Sequence, residues 1–348
     1  MRKKTLNVGV IGLGVGEKQA EGFHNHPRTN LVALCDTNPI KLQMTAQRWP
    51  DAKLFDDPFD LIKSGLCDVV AIASPDDCHY DQICAALDAD LHTFAEKPLT
   101  INAAHTKDIQ DKLSQKPHLR LISNTLLRKS PRFEDLKNRV NNQELGDIYH
   151  IEADYNYGRL WKLTEGWRGE IEGYSVILGG AIHMVDLVLW LKGGMRPQNV
   201  YAIGTGIGTS SSDFKGYDTV MSLLEFPDGS IAKIGANFSC VEPHFHRFLV
   251  YGTKATFENQ PQAANLFVSR EKDSQAISLE TGYPNVEKDA LVSSFIETIF
   301  DNTHPVITEQ EVFDAMFVCH AINDSLKRKA KITIEYPTLS KRTPPFIG

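Results

Sequence analysis

The sequence predicts an α/β protein in two parts. An N-terminal parallel sheet is covered by helices on both faces, and a C-terminal α+β domain carries a large, mostly antiparallel sheet. Three observations predict it. Over the first third, short apolar runs alternate with helical patterns, the rhythm of repeated βαβ units. After about residue 125 that rhythm gives way to long strand-like segments separated by turns. The 348 residues exceed what one core usually serves, so the domains are drawn at 1–125 and 126–348.

The first part reads element by element. Residues 6–11 (LNVGVI) are a buried strand ending in glycines, and 15–26 are helical, with Ala20 and Phe23 inward. Residues 30–35 (NLVALC) are a second strand. Asn38-Pro39 caps and opens a helix that runs to Trp49. Residues 68–73 (DVVAIA) form a strand, 79–89 a helix, and 91–95 a strand. Asn102 caps a helix to about Gln115, and 118–123 (HLRLIS) is strand-like.

In the second part, residues 131–143 suit a helix. Strand-like segments follow at 147–157, 198–206, 217–226, 230–239 and 245–251, and Phe226-Pro227-Asp228-Gly229-Ser230 has hairpin-turn composition. "GGAIHMVDLVLWL" starts and continues a helix on which His183 and Asp186, three residues apart, share a face. Two further helices are expected at 287–301 and 309–328.

Composition excludes several function classes. The net charge of −7 and pI near 6.0 lack the basic footprint that nucleic acid or an anionic membrane needs. No run of 18 apolar residues is present, so no membrane span is expected. The basic, apolar start resembles a signal peptide, but it runs into Gly16-Glu17-Lys18 and reads better as a first strand. The six cysteines form no CxxC pair, which favours a reduced, cytoplasmic protein. His244 and His246 form an H-x-H pair, but no third ligand is spaced to complete a metal site, and none is expected.

"VIGLGVGEK" places Gly12 and Gly14 directly after the first strand. Gly12 suits the tight turn there. Gly14 lets a pyrophosphate approach the backbone, with the next helix presenting its N-terminal amides. The third glycine of a G-x-G-x-x-G pattern falls at position 17, where Glu17 stands. Gly16 comes one place early, and a negative side chain is expected near the phosphates. The second strand ends at Asp36, 24 residues after Gly12. An acid there accepts hydrogen bonds from ribose hydroxyls and repels a 2′-phosphate, and Thr37-Asn38 follow rather than an arginine. NAD(H) is favoured over NADP(H).

Ser74-Pro75 and Lys97 also fall at strand ends. Strand order gathers Gly12, Ser74 and Lys97 along one edge of the sheet, where a lysine reaches a substrate hydroxyl beside a nicotinamide. "VGVIGLGVG", "ALCDTNP", "AIASPDDCHYDQICAAL", "FAEKPLT" and "GGAIHMVDLVLWLKGG" together resemble the glucose-fructose oxidoreductase / inositol dehydrogenase / MocA family over roughly residues 6–195.

That resemblance implies a Rossmann dinucleotide-binding domain followed by a substrate-binding domain whose sheet often makes oligomer contacts, so a homodimer or homotetramer is expected. It implies that Lys97 bonds the hydroxyl undergoing oxidation and shares in proton transfer, that His183 is the second catalytic group, and that the bond before Pro98 is cis. The expected cofactor-binding residues are Gly12, Gly14, Val15, Asp36, Thr37, Ser74, Pro75, His79, Glu96, Lys97 and Asn124. "DYNYGRLWKLTEGWRGEIEGY" supplies aromatic faces and cations suited to a sugar. The expected substrate contacts are Tyr157, Arg159, Trp167, Arg168, Lys97 and His183.

The expected substrate is a sugar, polyol or nucleotide-linked sugar. One departure stands out: the family carries an acid four residues before the histidine, and here that position is Gly179. Three readings follow. Lys97 and His183 suffice; Asp186 or Glu172 substitutes; or the chemistry is altered or lost. The last leaves room for a dinucleotide-binding sensor, or for a glycosidase that uses bound NAD transiently.

Overall fold

The computed structural model of the chain describes residues 5–301 and 303–337. The chain divides into two compact units. Of the described residues, the first takes those up to 126, then those within 287–313, and 337; the second takes 127–286 and 314–336. A single cut after residue 125 therefore does not describe it. Residues 287–313 return to the first unit because helix Val292–Asp301 is amphipathic and buries its apolar face there. Phe295 sets its ring edge-on to Phe94 at 5.6 Å.

The first unit holds strands β1 (Leu6–Ile11), β2 (Thr29–Cys35), β3 (Lys53–Phe55), β4 (Val69–Ile72), β5 (His92–Ala95) and β6 (Leu121–Ser123). They form one sheet in the order β3-β2-β1-β4-β5-β6, every pair parallel. Val8, Val10, Val69–Ile72 and Phe94 are fully buried, as strands covered on both faces must be. The connecting helices are α1 (Gly16–Asn25), α2 (Pro39–Ala46), α3 (Pro58–Lys63), α4 (His79–Asp88) and α5 (Ala103–Ser114).

Local chemistry sets the helix starts. Asn38 caps α2 by accepting from the Ile40 and Lys41 amides (both 3.1 Å), with Pro39 at the first helical position. Asn102 caps α5 in the same way. Sequence reading passes over β3 and α3. β3 is only three residues long and not fully buried, although Asp57-Pro58 carries the same cap signal, with the Asp57 carboxylate accepting from Phe59 N at 2.7 Å. Strand order reverses between β1 and β4, and ligands of such sheets bind outside the carboxyl ends of the strands at that switch.

The second unit holds α6 (Pro131–Asn141), β7 (Ile148–Asn156), the short helices α7 (Trp161–Thr164) and α8 (Trp167–Glu170), a π-helical turn (Ile177–Ala181) and α9 (Ile182–Leu191). Strands β8 (Asn199–Thr205), β9 (Thr219–Glu225), β10 (Ile231–Asn237), β11 (Phe245–Gly252), β12 (Thr256–Glu258), β13 (Ala264–Phe267) and β14 (Ile277–Leu279) follow. The helix described above is α10; after it come α11 (Glu309–Arg328) and β15 (Ile332–Thr333). The nine-stranded sheet runs β14-β13-β12-β11-β7-β10-β9-β8-β15, antiparallel except for the β7–β10 pair.

The 226–230 turn closes as expected: Phe226 N donates to Ser230 O at 2.9 Å and joins β9 to β10. One face of this sheet packs α9 over β7 and β10. Along β8 and β9 burial alternates, with Val200, Ala202, Val220 and Leu224 inward and Tyr201, Ile203, Met221 and Leu223 exposed.

Candidate active site

In the first unit the glycine loop follows β1. Gly12 has φ +81°, and its amide donates to Cys35 O at 2.8 Å. A Cβ on Gly12 would lie 2.6 Å from the Ala73 carbonyl, so glycine is required by conformation and by contact alike. A Cβ on Gly14 would meet only the Lys41 ammonium, 3.3 Å away. The backbone at Gly14 is thus open to a ligand, as a pyrophosphate requires, and sequence reading missed Lys41 as a cation at its mouth. Val15, exposed, precedes the first turn of α1.

Gly16 corrects the reading of the pattern. Its absent side chain admits Val10 Cγ1 (3.1 Å) and Ala73 Cβ (3.2 Å), so it performs the close helix–strand packing from one position early. Glu17 does not stand alone beside the phosphate site, because its carboxylate accepts from Arg48 at 2.7 Å.

Asp36 directly follows β2, with both oxygens engaged by backbone. Oδ2 accepts from Leu13 N and Oδ1 from Asn38 N, both at 2.8 Å. Each oxygen keeps a second lone pair for a ribose hydroxyl. The same bonds tie the acid to the glycine loop. Thr37 is exposed beside it.

Beyond β4, Ser74 Oγ donates to Gln82 Oε1 at 2.8 Å. His79, expected at the cofactor, is fully buried. Its Nδ1 lies 2.6 Å from Pro98 O and its Nε2 2.9 Å from Ser74 O. The ring therefore clamps the Ser74-Pro75 turn to the Glu-Lys-Pro segment and offers no surface to a ligand.

The Lys97–Pro98 bond is cis, as expected. Glu96 Oε1, buried, accepts from Gln19 Nε2 (2.9 Å) and Asn124 Nδ2 (2.7 Å), and Asn124 donates its second proton to Lys288 O (2.9 Å). Sequence reading did not find Gln19. The signal was present: a glutamine at the second place of the buried stripe Gly16, Gln19, Ala20, Phe23. Asn124 Oδ1 and Gln19 Oε1 remain without partners among the described residues, two buried acceptors beside Glu96. Lys97, half-buried, follows β5 at the same end of the sheet as Gly12 and Ser74.

In the second unit His183 lies in the first turn of α9, and its ring stacks on Tyr155 at 6.1 Å. Tyr155 is the hub of an aromatic cluster with Tyr157 (5.5 Å), His244 (4.9 Å) and His246 (5.3 Å). Arg159 sits over the Tyr157 ring at 5.1 Å. Trp167, Arg168 and Tyr174 form a neighbouring group: the guanidinium lies 4.3 Å from the Trp167 ring and donates through Nε to Tyr174 Oη at 3.1 Å.

Two adjacent glycines in the π-helical turn serve these clusters. A Cβ on Gly180 would strike the Tyr155 ring at 2.6 Å, and one on Gly179 would strike Tyr174 Oη at 1.8 Å. The two acids considered as substitutes for one at position 179 sit in different surroundings. Asp186 is held by the buried Arg128 through two bonds, and Glu172 is exposed. His246 is tied to Tyr283, whose hydroxyl accepts the His246 amide at 3.1 Å and also lies within hydrogen-bond reach of Nδ1. Among the described residues no group of three His, Cys, Asp or Glu side chains is placed to hold a metal. Burial pushes the thiols of Cys35 and Cys67 up to about 12 and that of Cys84 to about 11, so none is a thiolate nucleophile at neutral pH.

Residues 6–124 match the family model described as an oxidoreductase family with an NAD-binding Rossmann fold, and residues 133–258 match the GFO/IDH/MocA C-terminal domain. The chain belongs to the Gfo/Idh/MocA oxidoreductase family. Within the family it is 26% identical to a D-glucoside 3-dehydrogenase of Escherichia coli over 265 residues, covering 69% of this chain and 72% of the relative. It is 22% identical to a myo-inositol 2-dehydrogenase of Thermotoga maritima, covering 95% of this chain and 99% of the relative. Among solved structures, levoglucosan dehydrogenase in complex with NADH and levoglucosan superposes with a TM-score of 0.85 at 19% identity, over 96% of this chain and all of that one (100%). Scyllo-inositol dehydrogenase of Lactobacillus casei with NAD(H) and scyllo-inositol superposes at 0.77 and 20% identity, over 95% and 99%. At such identities these structures speak for the family fold. The family's cofactor is NAD(H), and the cradle at Gly12, Gly14 and Asp36 fits a dinucleotide. No described helix is long and apolar enough to cross a membrane.

Proposed function

We propose that this protein is an NAD(H)-dependent dehydrogenase that interconverts a CH–OH group and the corresponding ketone on a sugar or polyol. The observation that carries the reading is Lys97, set at the carboxyl end of β5 in a Glu-Lys-Pro segment whose Glu96 is fixed by Gln19 and Asn124. Bound NAD(H) supplies the hydride acceptor or donor. Gly12, Gly14 and the first turn of α1 hold its phosphates, Asp36 its ribose, and Glu96 with Asn124 shape the nicotinamide end. Lys97 bonds the reacting hydroxyl and takes its proton on oxidation, and His183 is the second proton-handling group. Tyr157, Arg159, Trp167 and Arg168 supply ring faces and cationic donors to the remaining hydroxyls.

The named relatives act on glucosides and inositols, which supports a cyclic polyol or glycoside as substrate class. The exposed apolar row Tyr201, Ile203, Met221 and Leu223 supports a homodimer or homotetramer formed through this sheet face. Net charge and six unpaired cysteines support a cytoplasmic setting.

The test is absorbance at about 340 nm, the band of a reduced nicotinamide. Protein is mixed with NAD+ or NADP+ and a panel of inositols, glucosides, uronates and nucleotide sugars. NADH formation with one class is expected, and Lys97→Ala lowers kcat by roughly 10²–10⁴-fold while NADH binding persists. Wild-type turnover that survives Lys97→Ala unchanged would remove Lys97 from the mechanism.

A further inference from the structure

The environment of Gly179 assigns a role to a residue that the sequence pattern leaves out. Gly179 stands four residues before His183, on the π-helical turn that leads into α9. Such turns recur at functional sites because the extra residue re-aims the side chains around it. The space that a side chain at 179 would fill is taken by the Tyr174 phenol, with Oη only 1.8 Å from the position of the missing Cβ. Gly179 and Tyr174 are therefore a matched pair, and the glycine is the condition for the tyrosine's placement.

The oxygen is held from its other side. Arg168 Nε donates to it at 3.1 Å, and the guanidinium rests on the Trp167 ring, which meets Tyr174 edge-on. With the oxygen accepting from Arg168, the phenol's own proton points away from the guanidinium. Tyr174 and His183 are buried to nearly the same degree, 5% and 6% exposed, which suits polar groups that act where water is excluded. Other polar groups of this segment and of α9 are engaged or exposed. Asp186 is engaged with Arg128, Glu172 is exposed, and Ser175 Oγ donates to Asn323 Oδ1 at 2.8 Å.

We propose that Tyr174, fixed by Arg168 and admitted by Gly179, is a substrate-contacting residue whose phenol hydrogen-bonds the sugar or polyol hydroxyl served by His183. This rests on the dehydrogenase reading above. The tyrosine brings a neutral donor and acceptor against Gly179, on the helix turn preceding His183. It leaves hydride and proton balance unchanged, because the proton still leaves through Lys97 or His183.

The decisive comparison is wild type against Tyr174→Phe, with the best polyol of the panel as substrate. Phenylalanine keeps the ring against Gly179 and Trp167, so NADH fluorescence titration is expected to match wild type and the melting temperature to fall by no more than a few degrees, for the lost Arg168 bond. The expected result is a fall in kcat/KM of roughly 100-fold, seen in kcat as well as KM. Gly179→Ala, which pushes the phenol out of its place but keeps its hydroxyl, is expected to lose activity similarly. If Tyr174→Phe turns over at the wild-type rate, the phenol is a packing group and this proposal fails while the dehydrogenase reading stands. If wild type binds NADH but turns over nothing in the panel, the dehydrogenase reading fails and this assignment falls with it.

Discussion

Arg128 and Asp186 form a two-pronged ion pair inside the second unit. Nε donates to Oδ2 at 2.9 Å and Nη2 to Oδ1 at 2.8 Å, with both side chains almost wholly buried. The pairing explains why Asp186, on the His183 face of α9, belongs to the scaffold. Removing one partner leaves an uncompensated charge in the interior. Asp186→Ala is expected to destabilise the protein by about 3–5 kcal/mol in urea unfolding, whereas Arg128→Met with Asp186→Leu together recovers most of that loss.

Asp36 offers a sharper test of cofactor choice. Its carboxylate is held by Leu13 N and Asn38 N, and the proposed ribose contact would need no rearrangement of the acid. Asp36→Ser is expected to weaken NADH binding by about 10- to 100-fold, the value of a charge-assisted hydrogen bond of roughly 1.5–3 kcal/mol. NADPH binding is expected to tighten, since the repelling charge is gone and Lys41 stands nearby. Fluorescence titration with both nucleotides reads this directly. Unchanged NADH affinity would show that the acid does no more than hold the loop.

Two histidines set an acid limit. His92 accepts the Arg120 amide at Nδ1 (3.0 Å), and burial, then the Arg120 charge, lowers its pKa to about 4; burial lowers that of His320 to about 4 as well. The unfolded chain protonates histidine near 6.5, so between about pH 6.5 and 4 it binds more protons than the folded one. Stability is therefore full above that window and falls as pH drops through it, by up to about 3 kcal/mol for each group. In denaturant melts from pH 7 to 4, His92→Gln is expected to flatten part of this slope. An identical slope in the variant would assign the effect elsewhere.

The open sheet face makes a separate prediction. Ile203 and Met221 are cross-strand partners, as are Tyr201 and Leu223, and all four are exposed. Ile203→Glu with Leu223→Glu is expected to halve or quarter the solution mass measured by light scattering while leaving NADH binding intact. A wild-type protein that is already monomeric at micromolar concentration would refute the assignment of this face.

Much of the first unit was legible in the sequence, because its signals are local. Buried parallel strands read as unbroken apolar runs, and caps such as Asn38-Pro39 and Asn102 lie next to the helices they start. The site around Lys97 was only partly legible. Gln19 and His79 act through contacts to residues 77 and 19 positions away, which no short-range pattern encodes. Glu17 read as a hazard until Arg48, 31 residues on, accounted for its charge. In the second unit, β12 to β15 are too short to show alternation. The pairing of Gly179 with Tyr174 emerges only once the π-helical turn has a shape.

The lone parallel pairing in the larger sheet bears on how the protein is made. His150 of β7 aligns with Ile231 of β10, 81 residues later, and Phe248 of β11 lies farther along still. At about 5–20 residues per second, a ribosome extrudes β7 roughly 4–16 seconds before its first partner exists. His183 and the tyrosine-bearing segment before it emerge during that interval. The nascent chain thus carries His183 and Tyr174 while β7, the strand whose Tyr155 stacks on His183, is still without either of its neighbours in the sheet.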